Sequence, residues 1–163
     1  YDASLFTGTV AADSSKIGAF AATASGFSKK SATVSFEGAF CINYYFKPDR
    51  TVTGNVTLYV WDAETYNNVS TLTSANSSQI ITASKIDANT YAATVKGIAA
   101  KNVDKTVYVA AVYTDANGAT CSSGVIAYSL STYCMKHATS ATMGTLAQAT
   151  AMYGYYAAQY FAN

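Results

Sequence analysis

Charge is scarce in this chain. Only 12% of its 163 residues are Asp, Glu, Lys or Arg, against the ~25% usual for soluble domains, so Thr, Ser and Asn must supply most of the wetted surface. Ten basic residues stand against nine acidic ones, a formal net charge of +1. Such a balance sets up no long-range field to draw nucleic acid or anionic lipid. No apolar run approaches the ~20 residues that a membrane-crossing helix needs, which argues against membrane insertion. Cysteine is also sparse: Cys41, Cys121 and Cys134 are an odd number, which excludes a fully paired disulfide framework. They read as reduced, buried, small hydrophobes, and Cys121 with Cys134 is the pairing that the layout would permit. Free thiols outside a cell would point to an anaerobic or otherwise reducing habitat. There is one proline, Pro48, and one histidine, His137. Neither a proline-rich linker nor a histidine-based metal cluster is available.

What is present is a two-residue alternation. Asn55 to Trp61 and Thr106 to Tyr113 alternate apolar and polar side chains, the period of half-buried strands. The same reading gives strands at Ala32–Gly38 and Ala39–Phe46, a weak first edge strand within Tyr1–Ala12, a turn at Ser25–Lys30, and a long polar loop over 65–79. Gln79–Ser84 and Thr90–Val95 read as a hairpin, and Val107–Tyr113 with Ala119–Tyr128 as another across Asn117-Gly118. Seven or eight short strands with regular turns predict a mainly β fold, a two-sheet immunoglobulin-like sandwich. After Ser131 the period changes. Met143, Leu146, Ala147, Thr150, Tyr153, Gly154, Ala157 and Phe161 recur at three and four, predicting a helix that lays this seam on the sandwich. Ser131 and Ser140 are the expected caps. One domain over 1–163 follows, with a sandwich over 1–130 and a helical cap over 131–163. A chain of this length can bury roughly 70% of its unfolded surface, so metals and disulfides are not needed for a core.

Reactive groups are few and dispersed. Cys134 and His137 are three apart on a predicted helix and invite a nucleophile or metal reading, but the spacing supplies no further ligand. Asp62 and Glu64 beside Trp61 raise the paired carboxylates of a glycosidase; an i, i+2 pair at a strand end is ordinarily just solvated. Asp62, Asn67 and Asn68 offer oxygens for calcium without EF-hand spacing. Glu37 on a strand face could assist a Lys–Asn isopeptide crosslink, for which no partner is marked. Asn55-Val-Thr, Asn68-Val-Ser and Asn76-Ser-Ser match the glycosylation pattern. No cofactor or catalytic constellation emerges, and the chain reads as a non-enzyme.

Three stretches together resemble a known module. Ala32 to Phe46, Tyr91 to Thr106, and Ile126 to Phe161 with its Tyr153-Gly-Tyr-Tyr-Ala-Ala-Gln-Tyr-Phe161 are similar, in that order, to an accessory β-sandwich module of secreted or cell-surface proteins, often dockerin-bearing, of Clostridia and Ruminococcus-type bacteria. The resemblance covers about half of the chain. It implies an extracellular, cell-surface location beside carbohydrate-active domains and no catalytic residues. The start at Tyr1 suits a processed part of a longer secreted chain. Cys41 departs from the pattern, where an aliphatic or small residue is expected.

Aromatics are the remaining lead. Fourteen Tyr, seven Phe and one Trp are many for a sandwich core to hide. Trp61 and Tyr59 share the outer face of one predicted strand. With Tyr45 and Asn43 on a neighbouring strand, and Asp62, they make a candidate platform on which sugar rings stack while amides and carboxylates bind hydroxyls. A second reading is that Tyr59, Trp61, Tyr153 and Tyr156 form a second core beneath the terminal helix. The functional expectation is a non-catalytic scaffold or adhesion element, binding polysaccharide or neighbouring surface domains. The alternative is a filament subunit that donates its N-terminal strand to a neighbour; a hydrolase ranks third.

Overall fold

Strand β2 (Phe40–Pro48) and strand β3 (Val52–Trp61) show the rule on which the fold is built. Their alternate residues Ile42, Tyr44 and Phe46, and Val56, Leu58 and Val60, are each buried almost completely. The computed structural model describes residues 1–21, 25–36 and 38–163. Among these described residues, nine strands form two antiparallel sheets. One has the order β1-β2-β6-β5, with β1 at Phe27–Ser35, β5 at Ser84–Lys85 and β6 at Tyr91–Ile98. The other runs β4-β3-β7-β8, with β4 at Gln79–Thr82, β7 at Val107–Asp115 and β8 at Thr120–Ser122, while β9 (Ile126–Tyr128) also pairs with β7. In chain order this is the A-B-E-D and C′-C-F-G arrangement of an immunoglobulin-like sandwich.

Two expected hairpins have different fates. β7 turns into β8 at Asn117-Gly118, where Gly118 has φ +80° and the Asp115 carboxylate accepts the N–H groups of Asn117 and Ala119 at 2.9 Å each. The expected hairpin of Gln79–Ser84 with Thr90–Val95 splits instead between the sheets. β4 pairs with β3, whereas β5 pairs with β6. The chain changes sheets at Ala83, which is buried in the core and donates its N–H to the Val56 carbonyl at 2.9 Å. The expected turn at Ser25–Lys30 is mostly edge strand, because β1 begins at Phe27. Exposed Lys29 and Lys30 sit on that edge, where ammonium groups discourage pairing with another chain.

The N-terminal segment is no strand. Residues 1–21 form an extended strap with short 3-10 turns at Ala3–Leu5, Ser14–Lys16 and Ala19–Ala21. Side chains rather than a ladder hold its backbone. The Asp104 carboxylate accepts the N–H groups of Thr7 and Gly8 at 2.8 and 2.9 Å and the Ser131 hydroxyl at 2.6 Å. Thr9 and Val10 donate their N–H to the hydroxyls of Thr132 and Thr106. Farther along, Asp13 N–H donates to the Tyr66 hydroxyl and the Ser122 hydroxyl to the Phe20 carbonyl.

Within the expected loop, Ala63–Asn68 is a helix, α1, whose N-cap Asp62 accepts the Thr65 N–H at 2.8 Å. Helix α2 (Leu130–His137) is capped by Ser129, not Ser131, which lies inside it. Ser140 accepts the Met143 N–H at the turn before α3 (Gly144–Ala162). α3 lies on the body through small residues: Gly144, Ala147, Thr150, Ala151 and Gly154 are buried. The predicted seam is therefore corrected, since Leu146, Tyr153 and Phe161 face outward. Small side chains permit close approach, and a Cβ on Gly154 would lie 2.5 Å from Val103 Cβ.

Candidate functional site

The predicted aromatic platform is not assembled. Trp61 and Tyr59 do point away from the main core, but β3 belongs to one sheet, and β2, carrying Tyr45 and Asn43, to the other. The two pairs lie on opposite outer faces of the sandwich. Trp61 is 0% exposed. It packs with Tyr66, Leu72, Tyr108 and Ala110 in a second core, with the Phe20 ring of the strap 5.5 Å away and its indole N–H donated to Asn76 Oδ1 at 2.9 Å. Tyr59 is half-buried, its ring 5.1 Å from that of Phe20. The cover is thus the strap and the loop after α1, not the terminal helix. Sequence reasoning missed it because Phe20 is one apolar residue in a segment without period.

Asn43 accepts the Thr94 hydroxyl at 2.8 Å across the β2–β6 pair. Tyr45 lines a shallow hollow of about 200 Å³ with Lys29, Ser31, Lys47 and Thr90. Asp62 spends one oxygen on the α1 cap but also borders a larger cleft. That cleft, about 440 Å³, opens at the end of the sandwich between β3 and β6. Asp62, Glu64 and Gln79 line it together with Lys96, Asn102 and Lys105, over apolar Val60, Val95 and Val107. Among the described residues ion pairs involve only Arg50, with Asp115 at 3.4 Å and Asp49 at 3.9 Å. The cleft's ammonium and carboxylate groups therefore face solvent unpaired. Its lysines lie on β6 and on the turns after it, so no local spacing marked them in the sequence.

The nucleophile candidates are tied into packing. Cys134 is fully buried with Ala147 and Ala151, and burial pushes its thiol up to about 11, so it is uncharged at neutral pH and a poor nucleophile. His137 lies against the Tyr133 ring, centroids 4.2 Å apart. All three cysteines are free thiols, and Cys121 and Cys134 sit in different cores. No group of three or more His, Cys, Asp or Glu side chains capable of holding a metal ion occurs among the described residues. Glu37, the expected crosslink assistant, lies outside the described residues. Asn76 of the third glycosylation match is structural: its amide donates to the Thr71 carbonyl at 2.7 Å while its oxygen holds Trp61.

Exposed aromatic surface gathers elsewhere. Tyr153, Tyr156, Tyr160 and Phe161 of α3 are all exposed, together with Leu146. Phe40 extends this face onto the sandwich, its ring 6.5 Å from that of Tyr153. Among the described residues no helix is long and apolar enough to cross a membrane. No protein-family model matches the chain, and neither curated proteins nor solved structures give a match.

Proposed function

We propose that this chain is a non-catalytic extracellular module, a scaffold or adhesion element of a bacterial surface protein of the Clostridia or Ruminococcus type. The supporting observation is where its apolar surface is exposed. Large aromatics on α3 face solvent while small residues hold the helix to the sandwich, an arrangement that presents a rigid contact face. Antibody labelling of intact source cells tests this reading. Surface signal without permeabilisation is expected; signal only after lysis refutes it.

Polysaccharide binding is a second reading, and the cleft between β3 and β6 supports it better than Trp61 does. Unpaired Asp62, Glu64, Lys96 and Lys105 with the amides Gln79 and Asn102 offer donors and acceptors for sugar hydroxyls or charged substituents. Affinity electrophoresis on plant and starch polysaccharides should show retardation that Lys105→Ala reduces. Equal migration of parent and variant on every polysaccharide contradicts the reading.

A further inference from the structure

The outer face of the sheet β1-β2-β6-β5 carries two ammonium groups that the fold does not use. Lys29 and Lys47 are direct partners in the β1–β2 register, and both are exposed. Partners of this kind share a face with their Cβ atoms about 5 Å apart, and like charges there are destabilising. Lys29 guards an edge strand, but Lys47 stands on an interior one, where no edge needs guarding. Nearby acids are engaged elsewhere. Asp49 lies toward Arg50 at 3.9 Å, and the lowered pKa of Asp87 owes most to the Asn89 N–H and least to Lys47.

An aromatic ring stands beside the pair. Two residues along β2, Tyr45 has Ser31 opposite it on β1 and Ala92 opposite it on β6, and these small neighbours leave it partly exposed. Lys29, Ser31, Tyr45, Lys47 and Thr90 border the hollow of about 200 Å³, and among the described residues no carboxylate does. Farther along, Asn43 lies between Thr33 and Thr94, so the face continues polar and uncharged. None of the residues around the hollow lines the cleft between β3 and β6.

We infer that this hollow binds an acidic polysaccharide, one sugar ring lying on Tyr45 with its carboxylate between the ammonium groups of Lys29 and Lys47. A carboxylate there replaces a repulsion with two charge-assisted hydrogen bonds. Alternate residues of a strand are about 7 Å apart, a span that a pyranose ring and its exocyclic carboxylate cover from Tyr45 to the lysines. The Ser31 hydroxyl at the rim can donate to or accept from a sugar hydroxyl, while the tyrosine ring takes the apolar face of the sugar. A nucleic acid strand fits less well. It is held by successive stacking rings along a basic groove, whereas this hollow has a single ring, and a chain of net charge +1 exerts little long-range pull on a polyanion.

Affinity electrophoresis of the 163-residue chain at low ionic strength, in gels containing polygalacturonate, tests the site. Retardation is expected, and it should be absent with the fully methyl-esterified polymer, which has the same backbone without the charge. Lys29→Gln with Lys47→Gln in one chain should raise the apparent Kd at least about tenfold, and Tyr45→Ala at least about threefold, while Tyr45→Phe keeps it within about twofold. Both lysines are exposed and oppose each other, so the double variant should melt no lower than the parent. A parent that polygalacturonate does not retard overturns the site, as does equal retardation by the two polymers. Retardation that the double lysine variant or Tyr45→Ala leaves unchanged overturns it too, and a Tyr45→Phe as weak as Tyr45→Ala overturns the stacking. Retardation by DNA as strong as by polygalacturonate would reveal a general attraction for polyanions and refute the assignment to sugar. Loss in Lys105→Ala with none in the double lysine variant would move the binding to the cleft and overturn the site on the sheet.

Discussion

Gly154→Ala tests how α3 is seated. In an unconstrained helix the change would stabilise by about 1 kcal/mol, because glycine has the greater conformational freedom to lose. Here the new Cβ would meet Val103 Cβ at 2.5 Å and both its Cγ atoms at 2.9 Å. Val103 is 1% exposed, and its carbonyl accepts the Ser131 N–H at 2.9 Å while its own N–H donates to the Ala100 carbonyl. Its backbone is held at both ends, so α3 must move outward. Overpacking against a side chain that cannot yield lies in the upper part of the usual range, about 2–3 kcal/mol, which outweighs the propensity gain. We expect a net loss of about 1–2 kcal/mol, or roughly 2–8 °C in Tm for a chain of this size. Thermal unfolding followed by far-ultraviolet circular dichroism reads it directly. A variant as stable as the parent, or more stable, would show that α3 does not approach Val103 so closely.

Three further outcomes follow from the same packing. Asp104→Ala removes the carboxylate that holds Thr7, Gly8 and Ser131. It should cost about 1–3 kcal/mol and speed proteolytic cleavage within residues 1–21; unchanged cleavage would show that the strap is held some other way. Tyr44 carries the buried hydroxyl for which no hydrogen-bond partner is found among the described residues, so Tyr44→Phe should leave stability unchanged or raise it by up to about 2 kcal/mol in urea unfolding. A loss above about 1 kcal/mol would reveal a partner for that hydroxyl. Asp115 has its pKa lowered, chiefly by the Ala119 N–H and further by the Asn117 N–H and Arg50. With the folded value depressed, the stabilisation is complete above the unfolded value of about 3.9 and is lost as pH falls through the folded one. The parent should therefore weaken below about pH 4, where Asp115→Asn flattens part of the slope. Asp2, Asp13 and Asp87, lowered by their own hydrogen bonds, keep the remainder.

Much of the sandwich was legible because burial alternates along the strands. β2 and β3 carry their core residues at every second position over much of their length, whereas β7 is buried on both faces, Val107, Val109, Ala111 and Tyr113 in the main core and Tyr108 and Ala110 in the second; Asn117-Gly118 marks its turn. The orientation of α3 was not. Large apolar residues ordinarily mark the core face of a helix, but here close approach to Val103 and Cys134 selects Ala and Gly inside and leaves tyrosine outside. The three-and-four spacing from Met143 to Phe161 was visible, but the side assigned to it was wrong for Leu146, Tyr153 and Phe161, which face solvent. The strap was hidden for another reason. Its bonds join Thr7 and Gly8 to Asp104, and Thr9 to Thr132, pairings so distant in sequence that neither local period nor turn signal reports them. Trp61 looked like a ligand platform for the same cause, since its cover, Phe20, comes from that strap. The α1 start was readable in principle from Asp62 three residues before Thr65, a capping spacing.

Fluorescence of the single tryptophan is the most direct measurement of the central claim, that the aromatic face of β3 is interior and the aromatic contact face belongs to α3. Trp61, sealed beneath Phe20 and bonded to Asn76, should emit at short wavelength and resist acrylamide quenching. Long-wavelength emission that acrylamide quenches freely would contradict it.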